Sequence, residues 1–218
     1  MLKKISYMTA GESHGKGLIG IIEGIPAGMN ITEEYIEKDL LRRMQGHGRG
    51  GRMKIEKDHA EIFSGVRHAI TLGSPISLLI KNFDWVNWED RMATGKPKKE
   101  HRKVTMPRPG HADLAGVMKY GLDDIRNVLE RSSARETAMR VAIGAVCRKL
   151  LEEVGITVGS RVYQIHNIVD ETPVSNNMSL KELNDTVDAS PVRCFDKAAE
   201  KKMMDVIDEA RNNGDSVG

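Results

Sequence analysis

Residues 130–154 read ERSSARETAMRVAIGAVCRKLLEEV. Ala138, Val141, Ala142, Ala145, Val146 and Leu150 recur at helical spacing, which predicts a long helix over 134–154 with one apolar face. Gly155 is its natural stop. Ser132 and Ser133 stand just before it, where free N–H groups and the positive end of the helix dipole favour an anion. The plainer reading is a good N-cap with Arg135 paired to an acid. Downstream, ITVGSRVYQI (156–165) alternates Val158, Val162 and Ile165 with polar or small residues and reads as a strand. A second amphipathic helix is expected over 195–213, with Asp196 as N-cap, Gly214 as stop, and Met203, Val206, Ile207 and Ala210 on its apolar side. Upstream, 5–9 and 18–23 read as strands around the turn GESHGKG. Thr32 caps a helix through Arg43, and 61–64 and 76–81 are short strands. Residues 83–105 form a long polar loop carrying Trp85 and Trp88, of a length that is usually functional or mobile. The order of elements is therefore mixed α and β.

The composition, 218 residues with 39% apolar, 29% charged and 4% aromatic, describes a globular chain and excludes disorder and collagen. No repeat of solenoid length and no low-complexity linker is found. No apolar run is long enough to cross a membrane and the first residues hold no secretory core, so a cytoplasmic protein without a membrane partner is expected. Basic and acidic residues nearly balance, 33 against 31 for a net +2, which gives no general nucleic-acid footprint. The positive residues cluster, however, at Arg42, Arg43, Arg49, Arg52, Lys54 and Lys57 and again between Arg91 and Arg108, and basic clusters with glycines favour anion binding. Cys147 and Cys194 form no CxxC, and His47, His59 and His68 are irregularly spaced, so neither disulfide nor metal is expected.

Two glycine motifs mislead. Gly15, Gly17 and Gly20 satisfy GxGxxG, but the β-branched run IGIIEG follows instead of a helix; GESHGK is one residue short of a P-loop and has Gly17 where Ser or Thr must stand. Three other segments combine hydroxyl or histidine, a permissive backbone and arginine. GESHG (11–15) puts Ser13 and His14 in a turn that a ligand can approach closely. RPGH (108–111) sets Arg108 and His111 around a Pro-Gly turn ahead of a short helix, where a cation and a proton donor can meet an anion. RSSARET (131–137) is the segment already described.

In this order and spacing, GESHGKGLIGIIEGIPAG (11–28), PRPGHAD (107–113), KYGLDD (119–124) and ERSSARETAMRVAIGAV (130–146), with the RR...GHGRG stretch, closely resemble the chorismate synthase family. The resemblance covers essentially the whole chain. It implies an anti-1,4-elimination of phosphate from 5-enolpyruvylshikimate 3-phosphate to give chorismate, on the route to aromatic amino acids, with reduced FMN required and left reduced after turnover. It implies that His111 protonates the departing phosphate and that His14 manages the protonation of the flavin. Ser13, Arg43, Arg49, Arg108 and Arg135 are implied as substrate-site residues, Arg131, Ser132 and Ser133 as flavin contacts, and Arg43 and Arg49 also as contacts to NADP.

The implied fold is α+β, with helices in a central layer between antiparallel β-sheets, and the implied assembly a homotetramer. Family members run well beyond this length and add a C-terminal motif with an arginine and an aspartate. DSVG at 215–218 reads as the start of a further turn or strand, so a single chorismate synthase-like domain over 1–218, incomplete at its C-terminus, is expected. Two alternatives differ in class: an inactive fragment of the enzyme, and an RNA- or polyanion-binding module built on the loops around Arg49 and Lys98. Low aromatic content and the absence of RNP or KH-like context argue against the latter.

Overall fold

The computed structural model describes residues 4–49 and 56–218; Arg52 and Lys54 of the basic cluster lie outside the described residues. The chain divides into two compact units, Met1–Leu40 with Lys54–Cys147, and Leu41–Met53 with Arg148–Gly218.

The first unit is built on a four-stranded antiparallel sheet in the order β1-β2-β6-β3, formed by β1 (Ser6–Gly11), β2 (Gly17–Glu23), β3 (Glu61–Ser64) and β6 (Ile76–Lys81). Alternation along β2 and β6 decides which face is buried: Leu18, Ile22, Ile76, Leu78 and Ile80 point inward and are at most 1% exposed. Each such side chain contributes about 1.5–3 kcal/mol relative to exposure. Helix α4 (Thr137–Glu153) lies across this sheet. A Cβ at Gly20 would stand 2.5 Å from the Met139 sulfur and 2.9 Å from Ile143 Cδ1, so the third glycine of the misleading GxGxxG exists to let the helix approach the strand.

Between strands, α1 (Glu33–Met44) is capped by Thr32, whose Oγ1 accepts the Tyr35 N–H at 3.2 Å. Its first residue fastens it to β3, since Glu33 Oε1 accepts the Ile62 N–H at 2.7 Å. A short ribbon of β4 (Val66–Arg67) and β5 (Ile70–Thr71) precedes β6. The 83–105 segment opens with a 3-10 turn over Phe83–Asn87 and is otherwise irregular, as expected. Two short helices follow, α2 (Asp113–Tyr120) and α3 (Arg126–Leu129), pressed together at Gly116, where a Cβ would meet Val128 Cγ1 at 2.2 Å. The predicted helix from Ala134 begins as a 3-10 turn over Ala134–Glu136, because Ser133 carbonyl and hydroxyl take the Glu136 and Arg135 N–H groups before the α-helix starts at Thr137.

The second unit contains β7 (Gln164–Ile165), β8 (Ile168–Val169), α5 (Leu180–Asp188) and α6 (Lys197–Asn212) around Val192, Cys194, Ala199 and Met203. Helix α6 has its expected Asp196 cap, Oδ1 accepting the Ala198 N–H at 2.8 Å. The strand expected over 156–165 is corrected: only Gln164–Ile165 is paired. Its backbone groups are taken by loops and side chains instead, the Val158 carbonyl by Asn184, the Ser160 carbonyl by Arg193, and the Val162 N–H by the Arg193 carbonyl. Helix α5 was legible but unread, as its capping box of Ser179 and Glu182 is a sequence signature. The whole is α+β with antiparallel sheets. Cys147 and Cys194 are free thiols, half-buried and buried.

Candidate active site

The turn after β1 delivers Ser13 and His14 to Glu130, at the C-terminal end of α3. The Ser13 N–H donates to the Glu130 carbonyl at 2.9 Å, and the His14 N–H donates to Glu130 Oε2 at 2.8 Å. The His14 ring adds a third link, with Nδ1 2.9 and 3.0 Å from the two carboxylate oxygens. Arg126 Nη1 donates to Glu130 Oε1 at 2.8 Å. Burial pushes the Glu130 carboxyl up, but His14 and Arg126 outweigh it and hold the group below the usual carboxylate range.

Trp88 covers the other side of the ring, 4.0 Å from His14 between centroids, and the guanidinium groups of Arg126 and Arg91 lie 4.9 and 5.2 Å from the Trp88 ring. Asp84 fixes the indole, accepting Nε1–H at 2.9 Å. The start of the long polar loop is thus docked on His14. Further along it His101 pairs with Asp90 at 2.8 Å and Lys103 with Asp123, so part of its basic charge is matched locally.

The RPGHAD segment makes a second cluster. Asp113, the first residue of α2, is fully buried and accepts from the Arg108 backbone N–H and Nε at 3.0 Å each and from Nη2 at 3.2 Å. It also meets His111 Nδ1 at 2.5 Å. The Arg108 guanidinium holds the Asp113 carboxyl far below its ordinary value in spite of burial, and Asp113, with the charge of Glu130 behind it, raises Arg108 in return. The arginine itself remains half exposed, its side chain 53% accessible, and can meet a ligand.

The third segment joins the first. Ser13 Oγ donates to Ser133 Oγ at 3.0 Å, and Arg131 Nη2 reaches the Thr9 hydroxyl at 2.6 Å and carbonyl at 2.9 Å. Ser132 Oγ donates to the Val128 carbonyl at 2.9 Å. Arg135 behaves as the plainer reading of its segment foresaw. Its guanidinium is 5% exposed, bonded to Asp58 and to Asn82 Oδ1 at 2.9 Å, and 3.6 Å from Glu56. Asn82 carries this support back to the turn, donating to the carbonyls of Glu12 and Gly15 at 3.0 and 2.8 Å.

Eight of the ten expected site residues, Ser13, His14, Arg108, His111, Arg131, Ser132, Ser133 and Arg135, therefore belong to the first unit. Arg43 and Arg49 belong to the second, where Arg49 donates to the Gln45 carbonyl at 3.1 Å and lines a cleft of about 360 Å³ with Arg42, His47 and Arg193. Glu130, Asp113, Asn82 and Trp88 were missed. Asp113 stands two residues from His111 inside GHAD, so a carboxylate beside that histidine was open to inference; Glu130 stands in ERSS, 116 residues from His14, and its contact, like those of Trp88 and Asn82, carries no local signal.

Residues 5–218 match the family model described as chorismate synthase. The chain belongs to the chorismate synthase family. The chorismate synthase of Geobacillus sp. (strain WCH70) is 55% identical over 215 residues, covering 97% of this chain and 55% of that protein. That of Bacillus subtilis (strain 168) is 55% identical over 217 residues with the same coverage. A crystal structure of chorismate synthase superposes with a TM-score of 0.76 at 40% identity, covering 100% of this chain and 57% of the other. The chain spans about half the length of the curated chorismate synthases it matches.

Proposed function

We propose that this chain takes part in chorismate synthase chemistry, the anti-1,4-elimination of phosphate from 5-enolpyruvylshikimate 3-phosphate to give chorismate. The observation that carries this reading, within a family member, is the occurrence in one unit of two Arg–carboxylate–His clusters beside a capped helix start. The substrate bears a phosphate and two carboxylates, and a charge-assisted hydrogen bond from a fixed arginine to such a group is worth about 1.5–3 kcal/mol. Arg108 is placed for direct contact, held by Asp113 yet open at its outer edge. Arg43 and Arg49 are assigned to the same substrate, and to NADP where a nicotinamide nucleotide is used. Arg135 serves the site from below, fixing Asn82 and through it the Ser13–His14 turn.

In the elimination the C–O bond to phosphate breaks with its electron pair going to oxygen, which protonated His111 neutralises as it leaves, while the C–H bond at the other end of the 1,4-system gives its electrons to the new diene and its proton to a base in the site. His14 holds a proton for the cofactor, its ring fixed between Glu130 and Trp88. Reduced FMN, when bound, supplies transient electron donation to the substrate. The residues fit such a group. Arg131 Nη1 is buried with no hydrogen-bond partner among the described residues, and Arg131 lines a cleft of about 470 Å³ with Ala112, Gly116, Tyr120, Val128 and Ser132. A cation at one edge and apolar walls suit a phosphate and an aromatic ring. The homotetramer and the cytoplasmic location belong to the same proposal.

Anaerobic incubation of the 218-residue chain with 5-enolpyruvylshikimate 3-phosphate and chemically reduced FMN tests it, with oxidised FMN as control. Chorismate is expected only with reduced flavin. No chorismate, with the substrate still bound by ultrafiltration, would leave an inactive fragment; salt-sensitive RNA binding without either would favour the polyanion module.

A further inference from the structure

We propose that Trp88 is a positioning residue for His14: together with Glu130 it fixes the plane of the imidazole, so that Nδ1 stays on the carboxylate and Nε2 is the nitrogen through which the ring exchanges its proton. This rests on the reading above only in that His14 carries a proton during the reaction. One edge of the ring is set by Glu130. Its Oε2 accepts the His14 backbone N–H at 2.8 Å, and its two oxygens lie 2.9 and 3.0 Å from Nδ1. Burial pushes that carboxyl up, but His14 and Arg126 hold it below the usual range. An ionised carboxylate only accepts, so the shared hydrogen belongs to Nδ1. Glu130 is itself 2% exposed and takes a bond from Arg126 Nη1 at 2.8 Å, so it cannot follow a moving ring.

A hydrogen bond at one edge does not fix a plane. The outer torsion of a histidine side chain is soft and roughly two-fold, and the ring can tilt about its Nδ1 contact. Trp88 removes that freedom. The two ring centroids are 4.0 Å apart with 31° between the planes, which is face contact, and turning the imidazole about this torsion would drive a ring edge into the indole. The indole is held in turn. Its Nε1–H donates to Asp84 Oδ2 at 2.9 Å, the Trp88 backbone N–H donates to the Trp85 carbonyl at 2.8 Å, and the Arg126 guanidinium lies 4.9 Å from the ring. Arg126 therefore braces the carboxylate and the indole together. Asp84 Oδ2 stands 4.0 Å from His14 Nε2, so the two ring nitrogens face different carboxylates.

Long-range ¹H–¹⁵N spectra of the labelled 218-residue chain at about pH 8.5, above the ordinary imidazole range, read the tautomer of His14. Protonated Nδ1 and unprotonated Nε2 are expected, and the reverse overturns the proposal. The Nδ1–H, shielded by Glu130 and Trp88, should give a resolved low-field proton signal at neutral pH. That signal is expected to be lost to solvent exchange in Trp88→Leu and kept in Trp88→Phe, which restores a flat face. Its retention in a folded Trp88→Leu chain overturns the proposal, and the parent spectrum decides alone if that variant does not fold. A merely structural Trp88 would lower the urea midpoint without moving this signal. With reduced FMN and 5-enolpyruvylshikimate 3-phosphate, Trp88→Leu should lower kcat by about 10²-fold at unchanged KM, with Trp88→Phe recovering most of it; an unchanged kcat overturns the proposal. The spectra do not depend on turnover. Expected signals in a chain that forms no chorismate would sink the reaction assignment and spare the positioning, whereas chorismate formation with His14 protonated on Nε2 would do the reverse.

Discussion

His111 reaches its carboxylate across two residues of sequence, and His14 reaches its own across 116. Both clusters have the same parts, an arginine and a histidine Nδ1 sharing one buried carboxylate. Asp113, Arg108 and His111 come from one turn and the first residue of the helix after it, so the backbone of RPGHAD nearly suffices to assemble them. Glu130, Arg126 and His14 need β1 and α3 in place, and Trp88 from a third segment closes over the ring. The local cluster is therefore a rigid tool carried on a loop, and the distant one is also a clasp that closes the first unit.

That difference orders the effects of mutation. Glu130→Ala removes the acceptor for the His14 N–H, the His14 ring and Arg126 at once, and leaves a partly buried guanidinium unpaired. A loss of about 3–5 kcal/mol in unfolding free energy is expected from urea titration. A loss below about 1 kcal/mol would break the comparison, since the turn would then stand without its clasp.

Asp113→Ala should destabilise less, by about 1–3 kcal/mol, because half-exposed Arg108 can be solvated where it stands. The acid limb of stability separates the two further. Both carboxyls lie below their unfolded values, so each stabilises the fold fully above the unfolded carboxylate range of about pH 4, and its contribution fades as pH falls through the folded value. Asp113 is the more strongly depressed and keeps its contribution into stronger acid. In Asp113→Asn the unfolding free energy should depend less steeply on pH below about pH 4. A parental slope there would mean that Arg108 and Asp113 are not paired in solution.

The same contrast explains what could be read from the sequence. Strands β3 and β6, the capped α1 and the span of α6 follow from alternation, helical spacing and caps, which are local signals. RPGH before a short helix was legible for the same reason. The Glu130 clasp, the docking of Trp88 on His14 and the burial of Arg135 among Asp58, Glu56 and Asn82 depend on contacts that spacing does not encode. The 156–165 segment shows the opposite error: alternation was present, but Gly155 turns the chain at its start and its polar groups found side-chain partners before a neighbouring strand.

Gly20→Ala probes the seating of α4 on the sheet. The new methyl group falls on Met139 and Ile143, whose flexible ends can yield, so a loss of about 1–2 kcal/mol is expected by thermal or urea unfolding. His14 and His111 should keep their ring shifts in NMR spectra. A change at His14 alone would show that the clasp depends on the seating of α4, whereas His111 should be indifferent.

The smallest expected effect is the most discriminating. Ser133 accepts the Arg135 N–H at 3.3 Å as the helix cap and the Ser13 hydroxyl at 3.0 Å as a link to the His14 turn, so Ser133→Ala should remove about 1 kcal/mol. Ser132→Ala gives up only a bond to the Val128 carbonyl and should remove less. Because Ser133 acts on the same turn that Glu130 clasps, its effect should shrink in a Glu130→Ala background, with a coupling of about 0.5 kcal/mol or more. In an Asp113→Ala background it should add independently, since the RPGHAD cluster assembles itself. Equal coupling to both carboxylates, measured by double-mutant cycles, would mean that the two histidines share one network and that the local cluster is no more self-sufficient than the distant one.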